Sequence, residues 1–155
     1  MAPDLSPDLE SPLGRLKSDD LAELTRMRAD LWPDSTASET EDALQQHQPG
    51  DRFMLVVERE EGDGLCAFAE ATIRPHAEGC VTAPVAYLEG IWVDDDQRRG
   101  RIAEALVEEV AAWAMRRELK ELASDTEVWN EVSRRFHNAV GFEDVGTITC
   151  FRRTL

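Results

Sequence analysis

Glu89 lies inside an otherwise apolar run, VAYLEGIWV, from Val85 to Val93. Burying an unpaired carboxylate is costly, so a mid-strand acid is either turned to solvent on an edge or held because a site needs it. Gly90 beside it points to a β-bulge, where strand pairing locally breaks. A second acid, Asp125 in LASDTEVWN, falls at the end of a short predicted strand. Ligands gather at the carboxyl ends of strands in open α/β sheets, and the other reading is that Asp125 caps a turn. Proton transfer and cation binding are the chemistries open to such carboxylates. Between them in sequence runs GIWVDDDQRRGRIAEALVEEV, a strand passing through an acidic turn into a glycine-containing segment that opens an amphipathic helix. Free backbone N–H groups at a helix start, backed by the positive end of the helix dipole, hold phosphate oxygens. Arg98, Arg99 and Arg101 add charge there; alternatively Asp94 to Asp96 merely cap the helix and the arginines are solvated.

This last stretch resembles the coenzyme A loop of the GNAT superfamily, which follows the family's fourth strand and reads Q/R-x-x-G-x-G/A. Arg98-Arg99-Gly100-Arg101-Ile102-Ala103 matches its first and last positions, with Arg101 where the middle glycine is expected and Gly100 preceding it. Over Leu21 to Phe151 the chain is similar to one branch, the aminoglycoside 6'-N-acetyltransferases. The stretches that carry the likeness are LWPDS, EATIR, APVAYLEGIWV, ASD, the Asn130-x-x-Ser133 spacing, and His137 through Gly141-Phe142.

The resemblance implies a mostly antiparallel mixed sheet flanked by about four helices and splayed between its fourth and fifth strands. It implies acetyl-CoA as cosubstrate, a cationic aminoglycoside as acceptor, no metal, and a homodimer. Trp32 would stack on the aminosugar, and Glu89 and Asp125 would receive its ammonium groups as the catalytic acids. The backbone of Ile91, Trp92 and Val93 would hold the acetyl and pantetheine portions, residues Arg98 to Ala103 the pyrophosphate, and Asn130 would bond to the coenzyme. His76 stands where relatives carry a substrate-contacting tyrosine, and Gly146 where they carry a C-terminal acid, with Glu143 and Asp144 nearby.

Acetyl transfer to an amine needs a neutral nitrogen held against the thioester, a donor for the oxyanion and a route for the proton. Glu89 could take that proton directly or through a water, and the Val93 amide could face the oxyanion. The only tyrosine, Tyr87, lies in the strand, which leaves the acid for the departing thiolate unassigned between the weak candidates Ser133 and His137.

These residues need elements to position them. Residues 1–12, rich in proline and acids, read as a flexible tail ahead of a domain over 13–155. Ser18, followed by Asp19 and Asp20, is expected to cap a helix whose apolar residues Leu21, Leu24, Met27 and Leu31 recur at spacings of three and four. Ser38 with Glu41 has the spacing of a capping box for a second helix stopping near Pro49-Gly50. Strands are predicted over FMLVVE, LCAFAEATIR and VAYLEGIWV, then a helix over 100–117 with Ile102, Leu106, Val110 and Trp113 as its buried stripe. A short strand over 122–124, a helix over 131–140 ended by Gly141, and two closing strands over 143–145 and 147–152 complete an α/β or α+β chain around a mixed sheet.

At 155 residues the chain has the length of one catalytic domain. Seventeen basic residues against 32 acidic ones give a formal charge of −15, which repels nucleic acid and anionic membranes and attracts cations such as aminoglycosides, polyamines and basic peptides. A solvated surface kept for solubility gives the same balance. No apolar run approaches the roughly 20 residues that span a bilayer, and MAPDLSPDLESP does not read as a secretion signal, so the cytoplasm is expected. Cys66, Cys80 and Cys150 are odd in number and unpaired in spacing, the pattern of buried thiols. Trp92, Trp113 and Trp129 are expected in core or interface packing. Other readings of the same fold are an acetyltransferase for a polyamine, small metabolite or peptide amine, and a non-catalytic acyl-CoA-binding module.

Overall fold

The computed structural model describes residues 13–15, 17–46, 51–60, 62, 64–98 and 100–155. The tail expected over 1–12, Pro49-Gly50 and the loop residue Arg99 lie outside the described residues. Strand β1 (Leu13–Arg15) is followed by helices α1 (Leu21–Leu31) and α2 (Ala37–Gln46), then strands β2 (Arg52–Glu58), β3 (Leu65–Arg74) and β4 (Val85–Val93). Helix α3 (Ile102–Arg116), strand β5 (Leu122–Ser124) and helix α4 (Glu131–Ala139) follow. Among the described residues the sheet has five strands in sequence order, antiparallel from β1 to β4 and parallel between β4 and β5.

Strands β2 and β3 form the expected hairpin, with Gly62 and Gly64 at φ +79° and +88°, a left-handed turn that residues with a Cβ rarely adopt. Alternation along the strands divides two cores. Met54, Val56 and Phe68 face Leu24 and Met27 of α1, while Leu55, Val57, Ala67, Ala69 and Ala71 face Leu106, Val110 and Trp113 of α3. With helices on both faces, β3 is buried from Leu65 to Ala71, which explains its apolar run from Leu65 to Ala69. Alanines on the α3 side leave room for large rings, and Phe53 stacks on Trp113 at 5.2 Å.

Several expectations are corrected. Leu13–Arg15, to which the sequence reading assigns no element, pairs with Leu55 to Val57 of β2; three residues carry too little periodicity to announce a strand. The capping box of α2 is formed by Thr36 and Glu39, not Ser38 and Glu41: Glu39 N–H donates to Thr36 Oγ1 (3.2 Å) and Thr36 N–H donates to Glu39 (2.7 Å). Two overlapping matches to the motif stand two residues apart, and the break after Trp32-Pro33 leaves room for the earlier one. At α1, Asp20 caps a preceding 3₁₀ turn through the Lys17 amide (2.8 Å) instead of capping the helix itself.

The closing strands are absent. Residues 143–155 have no regular secondary structure, and Val145, Ile148, Phe151 and Leu155 are exposed, because a strand exists only against a partner and none of the described residues pairs with this segment. Of the thiols only Cys66 is buried, with Cys80 half-buried and Cys150 on the exposed C-terminal segment. Trp113 is core, whereas Trp129 is exposed.

Candidate active site

The site begins where the sheet opens. Strand β5 pairs with β4 only over Ala86–Leu122, Tyr87–Ala123 and Leu88–Ser124, so residues 89–93 run on with no parallel neighbour. The Ser124 hydroxyl donates to the Leu88 carbonyl (3.2 Å) at the last rung. On the other side of β4 the register slips: Glu70 faces Gly90 but Ala71 faces Leu88, which leaves Glu89 as the extra, bulged residue. Asp94 N–H still donates to the Cys66 carbonyl of β3 (2.8 Å). Alternation therefore turns the Val93 amide and carbonyl away from β3, into the opening. The carbonyl there accepts from Arg98 Nε (2.9 Å).

Bulging places Glu89 against side chains from β3. Thr72 Oγ1 donates to its Oε1 (2.5 Å), and Arg74 grips both oxygens, Nε to Oε1 at 2.9 Å and Nη2 to Oε2 at 2.6 Å. The Arg74 guanidinium also lies 3.4 Å from the ring centre of Tyr87, and the Tyr87 hydroxyl donates to Asp125. Burial first, then this bond to a carboxylate, pushes the Tyr87 phenol well above its usual range. Glu89, Arg74, Tyr87 and Asp125 thus form one continuous line from the bulge to the end of β5, where Asp125 is exposed. The hydrogen bond to Glu89 raises the Arg74 pKa, so its charge is fixed. A carboxylate offers about four acceptor positions. Thr72 and Arg74 occupy three of them on Glu89.

Trp32 closes the other wall. A Cβ on Gly90 would come within 2.4 Å of the indole, so glycine is required for this approach. Arg28 lies 4.8 Å over the same ring, and Phe68 tilts against it at 6.2 Å. Beside Trp32 is an open cleft of about 270 Å³ lined by Arg28, Asp34, Ser35 and Glu39.

Beyond Val93, Asp94 is buried and accepts from Arg26 (2.9 and 3.1 Å), Arg59 (2.7 Å) and Trp92 Nε1 (2.9 Å). Burial alone would raise its pKa, but the donors of Arg26, Trp92 and Arg59 together hold it below the usual range. This ties the end of β4 to α1 and to the end of β2. Asp94 is thus committed to the protein and does not cap α3. A 3₁₀ turn over Asp95–Gln97 then leads to Arg101, which takes the left-handed conformation (φ +61°) immediately before α3. That is the conformation a glycine would adopt freely, so the loop's path is kept even though the residue type departs. Among the described residues no side chain caps α3, and its first helical bond runs from Ala105 to Arg101, so within them the amides of Ile102, Ala103 and Glu104 stay available to an anion. Gly100 has only ordinary contacts at its Cβ position, so protein packing does not demand it. Arg101 pairs with Glu104 (2.7 Å), and Arg98 pairs with Asp95 (2.9 Å) and lies over Trp92 at 5.0 Å.

Asn130 Oδ1 accepts from Ser133 N–H (3.1 Å) as the cap of α4, which commits its oxygen and leaves its amide donors. His137 contacts the Ser133 carbonyl (2.8 Å) and the Ser124 hydroxyl (2.9 Å), bonds that join α4 to β5. His76 is exposed two residues past β3. Asp144 bonds Arg134 (3.3 Å) and the Gly146 amide (3.2 Å) on the exposed C-terminal segment. Val145 crosses so close to Gly79 that a Cβ there would meet it at 2.1 Å.

The acetyltransferase (GNAT) family model matches residues 20–142. The chain belongs to the GNAT acetyltransferase family. Its curated relatives include an aminoglycoside N(6')-acetyltransferase type 1 of Klebsiella aerogenes, 38% identical over 150 residues that cover 94% of this chain and 98% of the relative. Another of the same description, from Serratia marcescens, is 32% identical over 88% of this chain and 94% of its own. Among solved structures, the aminoglycoside 6'-N-acetyltransferase AAC(6')-Ih from Acinetobacter baumannii superposes with a TM-score of 0.85 at 30% identity, covering 92% of this chain and 97% of that one. AAC(6')-Iy in complex with the bisubstrate analogue CoA-S-monomethyl-acetylneamine gives 0.82 at 27% identity, over 92% and 97%. This GNAT chain is therefore an acetyltransferase.

Of the residues singled out in the sequence, the structure gathers Trp32, Glu89 and Asp125 around the opening, and Arg98 and Gly100 to Ala103 at the start of α3. Sequence reasoning passed over Thr72, Arg74, Glu70 and Arg28. A weak signal existed in EATIR, where polar residues recur every second position along an otherwise buried strand.

Proposed function

We propose that this protein transfers the acetyl group of acetyl-CoA to the 6'-amine of aminoglycosides by direct attack, with no covalent enzyme intermediate. The observation that carries this reading is the bulged Glu89 at the sheet opening, walled by Trp32 and joined through Arg74 and Tyr87 to Asp125. Two carboxylates across such an opening suit a substrate carrying several ammonium groups. The uncapped first turn of α3 suits the coenzyme's pyrophosphate, with Asn130 offering an amide donor. Bound there, acetyl-CoA supplies an activated thioester. Glu89 takes a proton from the 6'-ammonium through a water on its remaining acceptor position, and the Val93 amide is the donor for the oxyanion. The neutral nitrogen bonds to the acetyl carbon, the C–S bond breaks, and a proton lost by nitrogen returns to the thiolate sulfur.

The exposed Val145, Ile148 and Phe151, on a segment that pairs with none of the described residues, support a homodimer in which that segment is covered by a second copy. No helix among the described residues is long and apolar enough to cross a membrane. With acetyl-CoA as donor, the cytoplasm is the proposed location.

A thiol-release assay decides the reading. Neomycin and paromomycin differ in bearing an amine or a hydroxyl at the 6' position. Neomycin should be acetylated and paromomycin should not; equal turnover on both, or turnover on polyamines alone, would overturn the assignment.

A further inference from the structure

Glu70 is 2% exposed in the middle of β3, the most deeply buried charge among the described residues. One of its oxygens pairs with Arg28 of α1 and the other with Arg52 of β2. Stability alone does not explain it. Replacing a buried ion triad by packed apolar side chains is usually neutral or better, and this triad leaves Arg28 Nε buried with no hydrogen-bond partner.

Its position is informative. Glu70 stands directly across from Gly90 at the bulge. Arg28 lies over the indole of Trp32, the ring that packs on Gly90. Arg52 is the cross-strand neighbour of Thr72, whose hydroxyl is bonded to Glu89, and side chains so paired share one face of the sheet. Arg52 is thus near enough to feel the Glu89 charge. Arg28, Arg52 and Arg74 stand on this face against Glu70 and Glu89. Without the Glu70 charge, Arg52 would compete with an incoming ammonium for Glu89, and the positive charge left on this face would repel it from the opening.

We infer that Glu70 is a positioning residue for the acceptor: by holding and neutralising Arg28 and Arg52 it keeps the face beside Glu89 attractive to a polycationic amine and sets Trp32 against Gly90. The inference rests on the aminoglycoside reading, so neomycin is the probe.

In Glu70→Gln the KM for neomycin should rise about tenfold or more, while kcat moves far less and the acetyl-CoA dissociation constant stays within about twofold. Adding Arg52→Gln removes one of the two cations that Glu70 holds and should recover part of that loss. Arg52→Gln alone, at a half-buried and more tolerant position, should lower the neomycin KM at least twofold, and this arm stands even where Glu70→Gln fails to fold. Calorimetric titration of the same variants with neomycin, without acetyl-CoA, reads the charge argument independently of turnover. Absence of neomycin acetylation by the unaltered protein would sink the substrate reading, whereas the Glu70 proposal fails on its own terms in either of two results. One is wild-type neomycin affinity in folded Glu70→Gln. The other is an Arg52→Gln substitution that leaves affinity unchanged or weaker in both backgrounds.

Discussion

Arg74 holds both carboxylate oxygens of Glu89, at 2.9 and 2.6 Å, while its guanidinium rests 3.4 Å from the ring centre of Tyr87. The acid proposed to meet the substrate amine is therefore not a bare charge. It is oriented by a fixed cation and keeps one acceptor position for a water or an ammonium, so orientation and capacity are set together.

The two acids should divide the work. Glu89→Gln removes the proton acceptor but keeps the shape, so kcat should fall roughly a hundredfold and the drug KM should rise. Asp125→Asn, at the far end of the Arg74–Tyr87 line, should chiefly raise the drug KM and leave acetyl-CoA affinity nearly unchanged. Steady-state kinetics on neomycin separates them; wild-type kcat and KM in Glu89→Gln would make it a structural acid.

Gly90 is the point at which backbone and indole touch. An alanine Cβ would lie 2.4 Å from Trp32, so the ring must leave its place. Gly90→Ala should cost about 1–3 kcal/mol of stability by overpacking. The drug KM should rise with it, and a Tm and KM both equal to wild type would show that Trp32 has no fixed place in the site.

Arg101 occupies a left-handed conformation at φ +61° without being glycine. Comparing Arg101→Gly with Arg101→Ala isolates the backbone, since both lose the exposed pair with Glu104. Glycine should be the more stable by about 1 kcal/mol, read as a Tm difference of roughly 2–4 °C. Equal melting temperatures would mean that the loop is not held in this conformation in solution.

Asp94 predicts an acid limb of stability. Its folded pKa lies below the ordinary 3.8, so it stabilises the fold above its unfolded pKa, and that contribution is lost as pH falls through the folded value. Denaturation midpoints should drop as pH falls below about 5, and Asp94→Asn should flatten that limb at the expense of stability near neutrality. An unchanged limb in Asp94→Asn would assign it to other carboxylates.

Much of this was legible in the residues alone. The three-and-four spacing of Leu24, Met27 and Leu31 and the stripe Leu106, Val110 and Trp113 specify helices, because only one face of each can be buried. The apolar run of β3 from Leu65 to Ala69 follows from cover on both faces, and Glu89 stands out because burying an unpaired acid in a strand is costly. Gly90 signalled the bulge, and the segment before α3 signalled a helix start even with Arg101 in a glycine's place.

Tertiary structure decided the rest. Period-two alternation says which face a strand residue takes, but not which residue lies across from it. That register is set by the bulge, and it alone puts Arg74 on Glu89 and Glu70 opposite Gly90. The same limit governs the C-terminal segment: Val145, Thr147, Thr149 and Phe151 alternate like a strand, yet strand pairing is a property of two segments, and among the described residues this one has no second.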